Sequence, residues 1–244
     1  MVKNAISIRI PYYESEKIKL KYSNFLKDKR VAIVGPSSLL VGSNQGEYID
    51  SFDVVIRQSR NYFIPDHLQK DMGSRTDVVF SSLNDVYDKG HYGTGIYFPI
   101  NKMKKKIKWL AMAAPNVGER IKRFKKKINK GRIPVYVVDY DWRLKICEEI
   151  GRHTSNGIIT LCDTAKYDFR ELYITGFTFY KMKDVNGWYY YKEYKPDPTK
   201  NKGKKKNRGH DFNAEFDYFK KHIWRSKNNI ICDNILERIL INEK

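Results

Sequence analysis

The chain has 244 residues, a length typical of one substantial α/β domain and too short for two enzyme domains with separate cores. Lys and Arg outnumber Asp and Glu by 47 to 28, the formal net charge is +19, and 41% of the residues are apolar. The apolar content supports a packed core and excludes global disorder. The charge favours an anionic partner such as nucleic acid, acidic lipid, acidic glycan or a nucleotide, and leaves its identity open.

Short apolar runs rich in β-branched residues predict the strands of a sheet. Their lack of alternation is typical of strands buried on both faces of a parallel sheet. Residues 1–29 form a polar lead-in, and residues 30–244 are predicted to form one domain. The runs are Arg30 to Val34, Asp53 to Arg57, Asp77 to Ser82, Ile107 to Ala114, Ile133 to Asp139 and Glu171 to Phe177.

Helix-compatible segments at 114–128, 141–151, 154–169 and 210–223 lie between and after these strands. Strands that alternate with helices predict an α/β fold with a mainly parallel sheet, in which ligands bind at the carboxyl ends of the strands. The loop at 195–209, rich in Lys, Pro, Gly and Asn, is predicted to be mobile.

The chain has three cysteines, Cys147, Cys162 and Cys232, with no CxxC and no zinc-ligand spacing. Neither a disulfide framework nor a metal knuckle is therefore indicated. No signal-peptide apolar region is recognisable, and no run approaches the roughly 20 apolar residues of a membrane span. These features predict a cytoplasmic protein.

Two turns of small polar residues are candidates for binding a phosphate. The first, VGPSS at 34–38, offers Gly35 for close backbone approach and the hydroxyls of Ser37 and Ser38. Its spacing excludes the GxGxxG dinucleotide motif and the P-loop. The second, HTSNG at 153–157, stands at a predicted helix start. A structural turn and a helix cap are the alternatives, and the presence of both turns in one α/β domain favours a nucleotide.

Three further clusters carry chemically capable side chains. Asp139 and Asp141 follow a strand in a DxD pattern that can hold a divalent metal, although Asp is common in such loops. His210 opens a predicted helix, whose dipole would keep it neutral as a general base, with Glu215 about one and a half turns along; an exposed capping histidine is the alternative. The segment at 187–195 interleaves tyrosines and lysines, which suits either single-stranded nucleic acid or a half-buried strand.

In their order, these segments resemble the sialyltransferase family, glycosyltransferase family 29, whose members transfer sialic acid or related ulosonic acids from CMP. The family's large motif is similar to RVAIVGPSSLL, SNQGEYID and DVVIRQS, and the following segment to DMGSRT. The small motif resembles GRHTSNG with its closing TGF, the third motif WYYYKE, and the last motif HDFNAE. The resemblance implies a single-domain GT-A-like fold, an α/β/α sandwich around a mainly parallel sheet.

The resemblance also implies roles residue by residue. His210 is implied to be the catalytic base that takes the proton from the acceptor hydroxyl, with Glu215 in support, and His153 and Tyr190 to lie near the donor phosphate. The family works by single inverting displacement without a metal, so no cofactor is expected, and a metal at Asp139 and Asp141 is disfavoured. The positions implied to hold the CMP moiety are Gly35, Ser37, Ser38, Ser59, Ser155, Asn156 and Gly157.

The chain departs from the family pattern at three pairs of positions. His153 stands at the motif tyrosine, and Tyr190 stands where many members have histidine; both side chains can still hydrogen-bond to a phosphate. Pro36 and Ser59 stand where the family has donor-binding asparagines, so the grip on cytidine must differ in detail. Val31 and Phe169 stand where secreted-pathway members have a cysteine pair. The missing pair and the missing membrane anchor together imply a cytoplasmic enzyme of bacterial or viral type.

Several alternatives stay open. The donor sugar is sialic acid, slightly favoured, or Kdo, and an inactive family member is a further alternative. A basic nucleic-acid-binding module would explain the charge and the tyrosine-lysine stretch, but not the ordered turn motifs. The basic stretch at 199–208 is either a lid over the anionic donor or a contact for an acidic glycan acceptor, and basic patches would also suit peripheral membrane contact.

Overall fold

The computed structural model describes residues 11–62, 64–82, 106–114, 118–182, 189 and 210–242. Tyr190 and the loop at 195–209 lie outside these residues, so the predictions made for them stay predictions.

Seven strands in the described part of the chain form one sheet in the order β5-β4-β3-β2-β1-β6-β7, and every neighbouring pair is parallel. The predicted α/β fold with a mainly parallel sheet is confirmed. Six strands lie within or overlap the predicted apolar runs, whereas the seventh is a partly exposed three-residue strand that they do not predict. The strands are β1 (Arg30–Val34), β2 (Val54–Gln58), β3 (Val78–Ser81), β4 (Trp109–Met112), β5 (Val135–Val137), β6 (Glu171–Thr175) and β7 (Ile230–Cys232).

Helices flank this sheet, and each of the four predicted segments overlaps one of them. The short helix in the first of these segments continues as a π-helix at Phe124–Asn129. The described α-helices are α1 (Glu16–Leu26), α2 (Gly46–Asp50), α3 (Gln69–Met72), α4 (Gly118–Arg123), α5 (Tyr140–Ile150), α6 (Asn156–Ala165), α7 (Phe212–His222) and α8 (Asn234–Asn242). None of them is long and apolar enough to cross a bilayer.

Helix α1 lies within the polar lead-in and yet joins the core. Its Tyr22 and Leu26 are fully buried. The Tyr22 ring stacks on Tyr136 of β5, with the centroids 4.2 Å apart, and meets Trp109 of β4 edge-on at 5.3 Å. Such aromatic pairs stabilise beyond the area that they bury, so this helix covers the sheet at the β4 and β5 edge.

Two side chains of the large motif, Arg57 and Asp50, hold the segment DMGSRT against the sheet. Arg57 of β2 is fully buried and donates to the carbonyls of Met72 at 2.5 Å and Arg75 at 3.0 Å. The carboxylate of Asp50 accepts from the backbone N–H groups of Ser74 at 2.8 Å and Arg75 at 3.0 Å. These residues of the large motif therefore hold the fold together.

Candidate active site

The strand order places a topological switch point between β1 and β6, where folds of this class have a ligand crevice. From β1 the chain proceeds outward through β2 to β5 and then returns to the other side of β1 as β6. At such a switch point the connections leave the sheet in opposite directions, which opens a ligand site at the carboxyl ends of the strands. The VGPSS turn follows β1 and the TGF segment closes β6, so both lie at this crevice.

Gly35 is required by chain packing. Its N–H donates to the Thr175 carbonyl at 2.7 Å. A Cβ added at Gly35 would lie 2.2 Å from the carbonyl oxygen of Gly176, which is too close for any residue with a side chain. The close backbone approach that this glycine allows is thus an approach of β1 to β6. Its predicted contact with a donor phosphate stays a prediction.

The two serines of the turn are buried, with Ser37 5% and Ser38 1% exposed. Ser37 caps a single 3-10 turn, Ser38–Leu40, by accepting from the Leu39 N–H at 3.2 Å, and its own N–H donates to Gly176 at 3.2 Å. The helix behind this turn is therefore too short to supply much of a dipole. Tyr189 pairs with Ser37 through an antiparallel bridge, which places Tyr189 beside the VGPSS turn.

Asn61 was not recognised from the sequence, although it follows the aligned Ser59 by two positions. Its side chain is 1% exposed, and its Nδ2 donates to the carbonyl of Val34, the last residue of β1, at 2.8 Å. Its Oδ1 is buried without a hydrogen-bond partner among the described residues. A buried amide thus lies at the carboxyl end of β1. The contact predicted for the Ser59 side chain stays a prediction.

The HTSNG turn forms the amino end of α6, as its residue types predict. Ser155 is the N-cap and accepts from the Ile158 N–H at 3.3 Å. The Ser155 N–H and hydroxyl donate to the two carboxylate oxygens of Glu215 at 2.6 and 2.7 Å. Glu215 therefore occupies both donors of Ser155, and the predicted contact of Ser155 with CMP requires this pair to open. The contacts predicted for His153, Asn156 and Gly157 stay predictions.

Phe177 brings the two turns together. A Cβ added at Gly35 would lie 2.9 Å from the Phe177 ring, and one added at Gly157 would lie 3.8 Å from the same ring. The Gly157 position also faces Gln58, the last residue of β2, whose Oε1 would be 3.4 Å from that Cβ. The two candidate phosphate turns therefore lie on either side of one aromatic ring.

His210 lies beside the second turn. It precedes Asp211, the N-cap of α7, so it stands outside the helix instead of in its first turn. Its Nδ1 lies 2.8 Å from the His153 carbonyl oxygen and 4.0 Å from Oε1 of Glu215. Its side chain is 44% exposed and therefore accessible to solvent.

Burial changes the pKa of His210 and of Glu215. Desolvation lowers the pKa of His210, opposed by its hydrogen bond to His153. The predicted neutrality of this histidine thus has desolvation as its main cause, and not the helix dipole. Desolvation raises the pKa of Glu215 to about 7, against the two Ser155 hydrogen bonds that lower it.

The DxD pair has structural partners. Asp139 caps α5 by accepting from the Trp142 N–H at 2.9 Å, and it pairs with Lys19 of α1 at 3.2 Å. Asp141 accepts from the Tyr13 hydroxyl at 3.4 Å. Within the described ranges, no group of three or more His, Cys, Asp or Glu side chains is placed to hold a metal.

The three cysteines are free. Val31 and Phe169, which stand at the positions of the family's cysteine pair, belong to one buried apolar cluster. At these positions apolar packing stands where the resemblance would place a disulfide.

Comparison with known proteins gave a family and a fold. The model of glycosyltransferase family 29 (sialyltransferase) matches residues 21–223. A mammalian sialyltransferase structure matches with a TM-score of 0.50 and 20% identity, over 84% of this chain and 68% of that one. A mammalian sialyltransferase in complex with Gal-beta-1-3GalNAc-ortho-nitrophenol matches with a TM-score of 0.51 and 18% identity, over 92% and 75%. No curated protein sequence matches the chain. The family match spans most of the chain and the fold agrees with it, so the chain belongs to glycosyltransferase family 29, the sialyltransferases.

Proposed function

We propose that the chain transfers sialic acid from its CMP donor to a glycan hydroxyl, with inversion at the anomeric carbon and with His210 as the general base. The observation that carries this proposal is the 2.8 Å contact between Nδ1 of His210 and the His153 carbonyl. A carbonyl oxygen only accepts hydrogen bonds, so in the neutral imidazole the proton lies on Nδ1 and the lone pair on Nε2.

The state of His210 suits a base. Its lowered pKa keeps the imidazole neutral near pH 7, and its partial exposure allows an acceptor hydroxyl to reach Nε2. Proton transfer from the hydroxyl to Nε2 leaves an oxygen nucleophile that forms the new glycosidic bond while the bond to the CMP phosphate breaks. The histidine then carries the proton as an imidazolium that the His153 carbonyl stabilises.

The donor is proposed to lie across the crevice, with its phosphate toward the amino end of α6. This ten-residue helix presents backbone N–H groups and a positive dipole end to an anion. Negative charge grows on the phosphate as CMP leaves, and these groups, with His153 and Tyr190, would stabilise it without a metal. Asp139 already caps α5 and pairs with Lys19, which supports a mechanism in which this residue holds no metal.

The test is a comparison of His210→Ala with His222→Ala, which removes the histidine at the carboxyl end of α7 that pairs with Glu149 at 3.5 Å. Loss of the base should reduce transfer by about 10²–10⁴-fold, while CMP binding by calorimetry stays close to wild type. The His222 variant should keep wild-type turnover. Wild-type turnover in the His210 variant would contradict the assignment of the base.

A screen of CMP-sialic acid against CMP-Kdo identifies the donor sugar. Family membership favours the sialyl donor. Faster transfer from CMP-Kdo would replace the sugar in this proposal and leave the mechanism unchanged. Tight binding of single-stranded DNA, with no binding of CMP, would favour the nucleic-acid-binding alternative.

A further inference from the structure

A buried carboxylate lies behind the turn that ends β6. Asp233, the residue before α8, is 5% exposed and belongs to none of the family motifs named above. Its Oδ2 accepts from the Thr175 hydroxyl at 2.7 Å and from the Gly176 N–H at 2.8 Å. Its Oδ1 accepts from the Leu236 N–H at 2.7 Å, which caps α8. Three donors therefore converge on one carboxylate.

The residues that Asp233 holds are the same residues that hold the turn after β1. The Thr175 carbonyl accepts from the Gly35 N–H at 2.7 Å, and the Gly176 carbonyl accepts from the Ser37 N–H at 3.2 Å. Gly176 has a φ of +74°, a left-handed conformation that its neighbours must maintain. A continuous series of hydrogen bonds thus runs from Asp233 through β6 to the Gly35 turn.

The chemistry at this position requires a carboxylate. One oxygen accepts from two donors at the end of β6, Thr175 and Gly176, and the other accepts from the N–H that it caps on α8. An amide would offer only one accepting oxygen. In the described part of the chain Asp233 takes part in no ion pair, so these hydrogen bonds must offset the free energy of burying it. Apolar packing alone would not need a charge here, which indicates that Asp233 serves to orient the groups that donate to it.

We propose that Asp233 is a positioning residue of the donor site. By fixing Thr175 and Gly176 it sets the position of Gly35 on one side of the crevice and of Phe177, which faces both candidate phosphate turns, on the other. This inference rests on the proposed function, because CMP is the ligand assigned to that crevice.

The test compares Asp233→Asn with Leu240→Ala. The asparagine oxygen can still accept from the Leu236 N–H, but its NH₂ group then faces the N–H of Gly176, so the substitution affects the contact with β6 selectively. Leu240 is a fully buried residue of the same helix, and its truncation destabilises the protein without touching the carboxylate. Thr175→Val removes only the hydroxyl contact and should have a smaller effect of the same kind.

Hydrogen exchange measured by mass spectrometry tests the positioning itself. The amide hydrogens of Gly35, Ser37 and Ser38 should exchange about tenfold faster in Asp233→Asn than in wild type. The substitution removes the buried hydrogen bond that fixes Gly176, and this loosens the carbonyls to which the Gly35 and Ser37 N–H groups donate. In Leu240→Ala these amide hydrogens should exchange no faster than the rest of the sheet. Equal exchange in wild type and Asp233→Asn, or equal acceleration in both variants, would overturn the inference.

Calorimetric titration with CMP tests the consequence for the donor. Displacement of the turn should raise the Kd for CMP by about 10- to 100-fold in Asp233→Asn, with Leu240→Ala within about twofold of wild type. If wild type and Asp233→Asn bind CMP equally, the positioning role is overturned and the proposed function stands. If wild type does not bind CMP, both the proposed function and the role of Asp233 in donor binding are overturned.

Discussion

Glu215→Gln should change how stability depends on pH. The carboxylate is 2% exposed, and its pKa rises from 4.5 to about 7 mainly because it is buried. The folded protein therefore holds a proton that the unfolded chain releases between these two values, and wild type loses stability as the pH rises through that window. Each pKa unit corresponds to about 1.4 kcal/mol, so the loss amounts to about 3 kcal/mol. Glutamine does not titrate, and its variant should not show this loss.

The assay is thermal unfolding of both proteins from about pH 4 to about pH 8. The melting temperature of wild type relative to Glu215→Gln should fall by about 6–12 °C across this range. The lost hydrogen bond to Ser155 adds an offset that does not vary with pH, so only the slope is diagnostic. Glu148→Gln is the matched control, because Glu148 is an exposed glutamate of α5, and the melting temperature of this variant should follow that of wild type across the range. A difference that stays constant with pH would refute the reasoning.

Three further predictions concern the crevice and the chemistry. Gly35→Ala should lower the stability by about 1–3 kcal/mol in thermal or chemical unfolding, because its Cβ would overlap the Gly176 carbonyl; an unchanged melting temperature would contradict the packing described. The value of kcat/KM should decrease on the acidic side only at pH values below 6.5, because the pKa of His210 is lowered and the base is lost only when the pH drops through that pKa. A decrease that already begins above pH 6.5 would contradict this. Transfer should persist in a chelator, and a loss that Mg²⁺ restores would show a metal requirement.

The local sequence predicted the strands and helices well, and it predicted the contacts between distant residues poorly. The run at Arg30–Val34 coincides with β1 because strands buried on both faces are continuously apolar. Ser155 caps α6 as its residue type predicts. The partnership of Ser155 with Glu215 joins residues 60 positions apart, and no local pattern encodes it.

The missed residues share one physical cause, which is that their partners are backbone groups set by the tertiary fold. Asp233 and Asn61 act on carbonyls and N–H groups at the ends of β1 and β6, and these become neighbours only when the sheet forms. Gly35 is a glycine because β6 approaches it, which the turn pattern alone cannot distinguish from a ligand's approach. The sequence predicted a neutral His210 because it placed this residue in the first turn of a helix. In the structure His210 stands just before the helix, and desolvation is the main cause of its lowered pKa.

The most direct measurement is the reaction of purified wild-type protein with CMP-sialic acid and a panel of glycan acceptors in the presence of a chelator, followed by NMR of the products. The predicted result is release of CMP matched by a sialylated acceptor of inverted anomeric configuration, and loss of both products in His210→Ala. Retained configuration, or no release of CMP from any CMP-linked acidic sugar, would contradict the proposed reaction.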